Sequence, residues 1–237
     1  IDETRCYDLY EELKQKGKDV HYWIGDIRNE DSVIDAISEH QPDIIFQCAA
    51  YKHVSPMDKF PMEAVNTNIK GTWNIINNFK GKIVNISTDK VINSNCIMGA
   101  TKKVAELMVK NAGGVSVRFG NVIGSRGSLL EIWQRQMDKG EPLTITDERM
   151  ERYMMTIPQA CQLVIKASEI GEPGQILILD MGKQVKILDL AKEIIAKTGK
   201  DIDIKTIGIR PGETLSEQLM TPEEQLRAIK KDNFYVI

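Results

Sequence analysis

The chain has 237 residues, of which 42% are hydrophobic, so it can bury a substantial core as one large domain or as one domain with a smaller lobe. The net charge of −3 argues against a nucleic-acid partner, and no apolar run approaches the roughly 18 to 20 residues that span a bilayer, so no membrane segment is expected in this part. The four cysteines are scattered without a C-x-x-C pair, so we predict neither a disulfide framework nor a metal site and expect a reducing, cytoplasmic compartment.

The first half of the chain alternates predicted helices and strands. Apolar residues at helical spacing predict a helix over residues 4–16, ended by Gly17, and another over 32–39. A short strand is predicted over 21–24 and a buried, continuously apolar strand over 43–50. Helix, strand, helix and strand then follow over 63–79, 83–86, 100–110 and 114–119. This alternation predicts right-handed parallel crossovers, so the fold class is α/β with a doubly wound, Rossmann-like parallel sheet.

The pattern becomes looser after Gly120. Helices are predicted over 128–139, 158–168 and 187–198, and strands over 143–146, 176–179 and 202–207. Arg210-Pro211-Gly212-Glu213 is expected to open a last helical stretch, and Met150, Met154 and Met155 are expected to fill core gaps. We assign residues 1–124 to a truncated dinucleotide-binding domain. Residues 125–237 are assigned mainly to a smaller α/β substrate lobe, with some segments returning to the main sheet.

The most informative stretch is Ser87-Thr88-Asp89-Lys90, which follows a predicted strand and precedes Met98-Gly99-Ala100-Thr101-Lys102. In an open α/β sheet, ligands lie at the carboxyl ends of strands. Lys102 stands about one helical turn after Met98, so its ammonium group can reach back over the strand end and hold a ribose hydroxyl. The alternatives remain open, because adjacent opposite charges often form a solvated turn and a helix lysine is often exposed.

Three weaker features also follow predicted strands or lie in the second half. In Gly25-Asp26-Ile27-Arg28 the carboxylate could accept hydrogen bonds from an adenine amino group, although such a sequence is often only a turn. The small residues of Ala49-Ala50-Tyr51-Lys52-His53 could let the backbone approach a flat ligand, or could simply pack. Arginines at 126, 152 and 210 offer bidentate donors suited to a diphosphate, or could be solvated.

A larger set of motifs occurs in one order along the chain: Cys48-Ala49-Ala50-Tyr51-Lys52-His53-Val54, Asn66-Thr67-Asn68-Ile69-Lys70-Gly71-Thr72, Ser87-Thr88-Asp89-Lys90, Met98-Gly99-Ala100-Thr101-Lys102, Arg118-Phe119-Gly120-Asn121-Val122-Ile123-Gly124-Ser125-Arg126-Gly127-Ser128 and Arg210-Pro211-Gly212-Glu213. Together they resemble the nucleotide-sugar 4,6-dehydratases of the capsular polysaccharide biosynthesis branch of the extended short-chain dehydrogenase/reductases. The resemblance runs from about Asp26 to Glu217. It implies an NAD- or NADP-dependent 4,6-dehydratase of UDP-N-acetylglucosamine or another UDP-N-acetylhexosamine.

Two departures from the family pattern stand out. Family members begin with a strand and a Gly-x-x-Gly-x-x-Gly loop that wraps the cofactor pyrophosphate, and this unit does not precede Ile1, so a truncated chain is expected. The Tyr-x-x-x-Lys of the wider superfamily reads Met98-x-x-x-Lys102 here. A thioether cannot titrate, and some 4,6-dehydratases of this branch resemble this chain in carrying Met there. We therefore interpret the change as a reassignment of the base.

The resemblance implies a role for each site residue. Lys90 would be the base at C5, and Asp89 the acid that protonates the leaving C6 hydroxyl and, in place of Met98, accepts the C4 proton. Thr88 would bond the C4 hydroxyl and Lys102 the nicotinamide ribose. As a base, Lys90 needs a pKa well below about 10.4, lowered by burial or by Lys102. The predicted cofactor contacts are Asp26, Ile27, Ala49, Ala50, Tyr51, Asn68 and Lys102. The predicted substrate contacts are Lys52, His53, Met98, Asn121, Arg126, Arg152, Arg210 and Glu213.

Two other functions remain open from the sequence. A UDP-sugar epimerase on the same scaffold would share the ketone intermediate, and the face on which C5 is reprotonated is not encoded in any motif. A non-catalytic nucleotide-binding relative is the other alternative, favoured by Met98 and opposed by the joint presence of Asp89, Lys90 and Lys102. By analogy with such folds, the helices predicted over 63–79 and 100–110 could form the dimer face of a homo-oligomer.

Overall fold

The structure, a computed structural model, describes residues 2–237, and helices alternate with strands along its first half. Its elements there are α1 (Glu3–Gln15), α2 (Glu30–His40), β1 (Ile44–Gln47), α3 (Val54–Lys59), α4 (Pro61–Ala64), α5 (Gly71–Asn78), β2 (Lys82–Ile86), α6 (Ile97–Asn111) and β3 (Val115–Arg118). A π-helical segment, Val65–Lys70, joins α4 to α5, and a short 3₁₀ helix, Asp89–Val91, follows β2.

The second half of the chain has shorter strands between its helices. Its elements are β4 (Asn121–Ile123), α7 (Leu129–Asp138), β5 (Leu143–Ile145), β6 (Glu151–Arg152), β7 (Met154–Thr156), α8 (Ile157–Ile170), β8 (Ile176–Leu179), β9 (Val185–Lys186), α9 (Ile187–Thr198), β10 (Ile204–Thr206), α10 (Pro222–Arg227), β11 (Ile229–Lys231) and β12 (Phe234–Val236).

The central sheet has the order β1-β2-β3-β8-β12-β11. Its first four strands are parallel. The terminal hairpin extends the sheet, with β12 antiparallel to both β8 and β11. Neighbouring residues of β2 point to opposite faces: Ile83 packs in one core cluster with Val109, and Val84 packs in another with Leu163. Helices therefore cover both faces of the sheet, which confirms the predicted α/β, doubly wound class.

A smaller lobe is built beside this sheet. Its strands pair as β5 with β10, β4 with β7, and β6 with β9. Its core contains the fully buried Trp133, whose indole N–H donates to the carbonyl of Thr144 at 2.9 Å, together with Met150 and Ile187. Strands β8, β11 and β12 lie after residue 124 yet belong to the central sheet. The division of the chain at residues 124 and 125 stays a prediction.

Two predicted elements are absent where they were expected. Residues 21–24 form no strand, because within residues 2–237 no strand lies beside them, and the side chains of Tyr22, Trp23 and Ile24 are exposed. Residues 210–213 open no helix, since they form a turn in which Gly212 has a φ of +74°. Helix α10 begins later, at Pro222, behind a capping box between Thr221 and Glu224.

Within the described residues, no helix is both long enough and apolar enough to cross a bilayer.

Candidate active site

A cavity of about 410 Å³ opens where the chain leaves β1, β2 and β3. The first turns of α6 and α7 close its sides. Because these strands are parallel, the loops that follow them meet at one edge of the sheet. Of the predicted site residues, the cavity wall brings together Ala50, Tyr51, Lys52, His53, Thr88, Lys90, Met98, Lys102 and Asn121.

Asp89 lies directly behind this wall and is held at one carboxylate oxygen. The Thr88 hydroxyl donates to Oδ1 of Asp89 at 2.9 Å, and Nζ of Lys90 donates to the same oxygen at 3.0 Å. The Asp89 side chain is completely buried, and its Oδ2 has no hydrogen-bond partner among residues 2–237. Leaving a buried carboxylate oxygen without a donor costs free energy. Such an oxygen is typical of a group that binds a ligand.

Gly120 lies beside this carboxylate and packs tightly against Tyr153. A Cβ at Gly120 would lie 3.4 Å from Oδ2 of Asp89 and 2.7 Å from Cβ of Tyr153. The second contact is closer than real Cβ atoms approach, so a side chain at position 120 would force the chain apart from Tyr153, whose carbonyl accepts from the Asn121 N–H at 2.9 Å.

Lys90 points toward acceptors on three sides. Its Nζ lies 3.0 Å from Oδ1 of Asp89, 3.4 Å from Oδ1 of Asn121 and 3.5 Å from Oε1 of Glu217. Burial by itself lowers the pKa of Lys90, but the carboxylates of Asp89 and Glu217 outweigh it and raise the pKa above the ordinary value. The expectation of a lowered pKa was therefore wrong for this arrangement.

Glu217 is the residue that the sequence analysis missed. Its side chain is 7% exposed, and burial raises its pKa, although Lys90 opposes this shift. Its only signal in the sequence is its place four residues after Glu213, at the end of the Arg210-Pro211-Gly212-Glu213 motif region. Contact with Lys90 could not be deduced from that spacing, because the two residues lie in different parts of the fold.

Lys102 lines the same cavity and is more deeply buried than Lys90. It projects from α6, and its Nζ donates to the carbonyl of Ile86, the last residue of β2. Burial lowers the pKa of Lys102 to about 8, with Cys48 and Glu106 acting weakly in the opposite direction. Cys48 also lines the cavity, and burial raises the pKa of its thiol.

Asn68 supports the loop after β1 from behind. Its side-chain oxygen accepts from the Tyr51 N–H at 2.8 Å, and its Nδ2 donates to the Tyr51 carbonyl at 3.1 Å and to the Thr101 hydroxyl at 3.0 Å. The amide is buried and does not line the cavity. Asn68 therefore fixes the Tyr51 backbone, and a direct cofactor contact from its side chain stays a prediction.

Asp26, Ile27 and Ala49 also lie outside the cavity wall. The Asp26 carboxylate accepts from Nε and Nη2 of Arg28 at 2.8 and 2.6 Å, which lowers the pKa of Asp26. The Ile27 carbonyl accepts from Asn74, and the Ala49 carbonyl accepts from Gln47. Their contacts with a cofactor stay predictions.

Of the five residues predicted to bind the UDP part of the substrate, Asn121 lines the cavity and the other four do not. Arg126 is exposed and pairs with Asp2 at 3.1 Å, and Arg210 is exposed. Arg152 is buried, and its guanidinium donates to the carbonyls of Glu151, Thr214 and Leu215. Glu213 lies 3.7 Å from it. The structure thus uses Arg152 to hold the segment before Glu217, and the proposed contacts of these four residues with UDP stay predictions.

Lys52 and His53 connect the loop after β1 to the start of the smaller lobe. Nζ of Lys52 lies 3.4 Å from Oγ of Ser125, and the His53 ring packs against Gly127, where a Cβ would lie 2.7 Å from Cε1. Burial lowers the pKa of both residues.

Within residues 2–237, no group of three or more His, Cys, Asp or Glu side chains is placed to hold a metal ion.

The profile of the family described as "Polysaccharide biosynthesis protein" matches residues 1–237. The chain belongs to this family. Its relative CapD, the capsular polysaccharide biosynthesis protein of Staphylococcus aureus, is 41% identical over 94% of this chain. The chain spans 40% of the length of CapD. The UDP-glucose 4-epimerase of Rickettsia rickettsii is 34% identical over 91% of this chain and 66% of that protein.

Solved structures of other proteins show the same fold. Pen from Bacillus thuringiensis superposes with a TM-score of 0.92 and 38% identity, covering 99% of this chain and 78% of Pen. DesIV, a dTDP-glucose 4,6-dehydratase from Streptomyces venezuelae solved with NAD and TYD bound, has a TM-score of 0.75 at 19% identity. That alignment covers 85% of this chain and 71% of DesIV. These likenesses confirm the Rossmann-like fold and the resemblance stated from the motifs.

Proposed function

We propose that this family member is an NAD- or NADP-dependent enzyme that removes water from a UDP-N-acetylhexosamine, with UDP-N-acetylglucosamine as the preferred substrate, to give the 4-keto-6-deoxy sugar. The observation that carries this proposal is the meeting of Thr88, Asp89 and Lys90 at one carboxylate oxygen, behind a cavity that Lys102 also lines. The family membership and the name of CapD support a role in making surface polysaccharide.

The residues of the cavity fit a nicotinamide cofactor. An ammonium group has three protons, and the described residues engage one of those on Lys102 through the Ile86 carbonyl, which leaves donors for ribose hydroxyls. Ala50 and Tyr51 offer backbone on the same wall, and Asp26 and Ile27 are proposed for the adenine end. When bound, NAD(P)+ accepts a hydride from C4 and returns it to C6, so the overall reaction involves no net oxidation.

The chain's own residues handle the protons. Thr88 donates or accepts a hydrogen bond at the C4 hydroxyl, and Asp89 takes the proton of that hydroxyl as C4 becomes a ketone. The ketone makes the C5 proton acidic, and Lys90, as a free amine, removes it. Asp89 then gives its proton to the C6 oxygen, the C6–O bond breaks, and water leaves. The Lys90 ammonium returns its proton to C5 as C6 is reduced, which completes the 6-deoxy product. Each such proton transfer is worth roughly 10²- to 10⁴-fold in rate.

Turnover by the full-length natural protein tests this proposal. With UDP-N-acetylglucosamine and NADP+ or NAD+, we expect proton NMR to show the C6 methyl doublet of a 6-deoxy product. Asp89→Asn and Lys90→Ala should each lower kcat by at least about 10²-fold, because each removes a proton-transfer group. Lys110→Ala, a partly exposed lysine later on α6, serves as the matched control. Near-normal turnover in either site variant would refute the assignment.

A second candidate is a UDP-sugar epimerase, favoured by the 34% identity to the Rickettsia rickettsii enzyme. The same NMR spectrum separates the two, since an epimerase product keeps its C6 hydroxyl and shows no methyl doublet. A spectrum without any new sugar signals would instead favour a non-catalytic nucleotide-binding protein.

We also propose a homo-oligomer that uses α5 and α6, on which Trp73, Val104 and Leu107 are exposed.

A further inference from the structure

The amine proposed as the C5 base is held between two carboxylates from different parts of the chain. Asp89 is its neighbour in sequence, whereas Glu217 belongs to the long irregular segment between β10 and α10. Arg152 and the Cys96 thiol are the other titratable groups that act on this pair, and Asn121 adds a neutral acceptor. One positive charge, Arg152, thus opposes the two negative ones at Lys90.

Glu217 is anchored from the side of the smaller lobe. Its N–H donates to Oε1 of Gln184 at 3.2 Å, and Nε2 of Gln184 donates back to its carbonyl at 3.0 Å. Just before it, the Leu215 carbonyl accepts from the Glu151 N–H at 2.8 Å, and Arg152 donates to the same carbonyl. The backbone of Glu217 is therefore fixed by the smaller lobe, and its carboxylate is what reaches Lys90.

We propose that Glu217 is a positioning residue that acts through Lys90: its carboxylate holds the Lys90 ammonium in place and charged in the ligand-free enzyme. Lys90 acts as a base only after it loses that proton, and the Glu217 carboxylate raises the pH at which this happens. The inference rests on the proposed function for the role of Lys90. The contact itself, and its effect on the charge of Lys90, do not depend on which sugar reacts.

The direction of the effect follows from the geometry. An opposite charge within about 4 Å favours the charged form of an amine, commonly by 1 to 3 pKa units. Glu217 lies at such a distance with little solvent to screen it, and Lys90 has a raised pKa despite its burial. Glu217→Gln keeps the shape of the side chain and removes the charge. The amine of Lys90 should therefore form at lower pH in this variant.

Competitive acetylation of the full-length protein by acetic anhydride, read by mass spectrometry across a pH series, measures this charge directly. In Glu217→Gln we expect the midpoint of Lys90 acetylation to fall by about one pH unit. Glu217→Asp keeps the charge and should stay closer to the wild type. Lys102, which is bonded to Ile86 and makes no ion pair with Glu217, provides the internal control, and its midpoint should not move.

An unchanged Lys90 midpoint in a Glu217→Gln protein whose Lys102 midpoint is also unchanged overturns the inference. If Glu217→Gln fails to fold, Gln184→Ala carries the test, since it frees the segment and keeps the carboxylate. We expect a smaller fall of the Lys90 midpoint there, and no fall overturns the inference. No substrate is added, so absence of a C6 methyl product in the turnover assay would refute the proposed function without affecting this result.

Discussion

Single residues on the cavity wall differ in charge because their nearest neighbours differ. Lys90 faces the carboxylates of Asp89 and Glu217, which raise its pKa. Lys102 faces the carbonyl of Ile86, and burial lowers its pKa to about 8. The sequence placed both lysines at the site, but a pKa depends on groups that the fold brings from a distance. The part of the chemistry that depends on Glu217 therefore required the structure.

The lowered pKa of Lys102 gives stability a definite dependence on pH. Between about 8 and 10.5 the unfolded chain binds the proton more tightly than the folded one, so the free energy of unfolding rises with pH across that window. This gain disappears as pH falls from 10.5 to 8. Lys102→Met removes this term. By urea unfolding, we expect the stability of the wild type relative to the variant to rise by roughly 2 to 3 kcal/mol from pH 8 to pH 10.5. A pH-independent difference, matching the control Lys110→Met, would contradict this.

At the scale of elements, length decided what could be predicted. The long helices and the buried strands appeared from periodicity, because each buries one face or both. The short strands β4, β6, β7, β9, β11 and β12 were missed, since two or three residues carry little periodicity. The segment 21–24 was wrongly predicted as a strand, because a short apolar run does not reveal whether a neighbouring strand is present to pair with it. The carboxyl-end clustering of Thr88, Lys90 and Lys102 was predictable from topology alone.

The π-helical segment Val65–Lys70 holds the loop after β1 through one side chain, Asn68. Asn68→Ala removes three hydrogen bonds and leaves the Tyr51 backbone without its partners, so we expect a loss of about 2 to 4 kcal/mol and weaker NAD(P) binding. Asn77→Ala, on exposed α5 surface, is the control. Thermal unfolding and isothermal titration check the two effects. If Asn68→Ala binds cofactor like the wild type, the loop does not depend on this clamp.

At the scale of the whole molecule, a buried ion cluster ties the C-terminal segment to the sheet. Arg118, at the end of β3, has no exposed side-chain surface and donates to Glu106 of α6 at 2.7 Å and to Glu224 of α10 at 2.8 Å. It also donates to the carbonyl of Leu219 at 2.9 Å, and Ser87 donates to Glu106 at 2.6 Å. The cluster therefore connects the loop of the candidate site, α6 and the segment that carries Glu217.

Arg118→Met tests whether this cluster holds the molecule together. The variant leaves two buried carboxylates with Lys103 as their remaining cation, at 3.2 Å from Glu106 and 3.9 Å from Glu224, so we expect the free energy of unfolding to fall by about 3 kcal/mol. Adding Glu106→Gln and Glu224→Gln removes the stranded charges and should restore part of that loss, because the cost lies in the unpaired charge more than in packing. Arg149→Met, at an exposed arginine, should change stability little. Urea unfolding of the four proteins separates these outcomes, and a single variant as stable as wild type would show that the cluster contributes nothing.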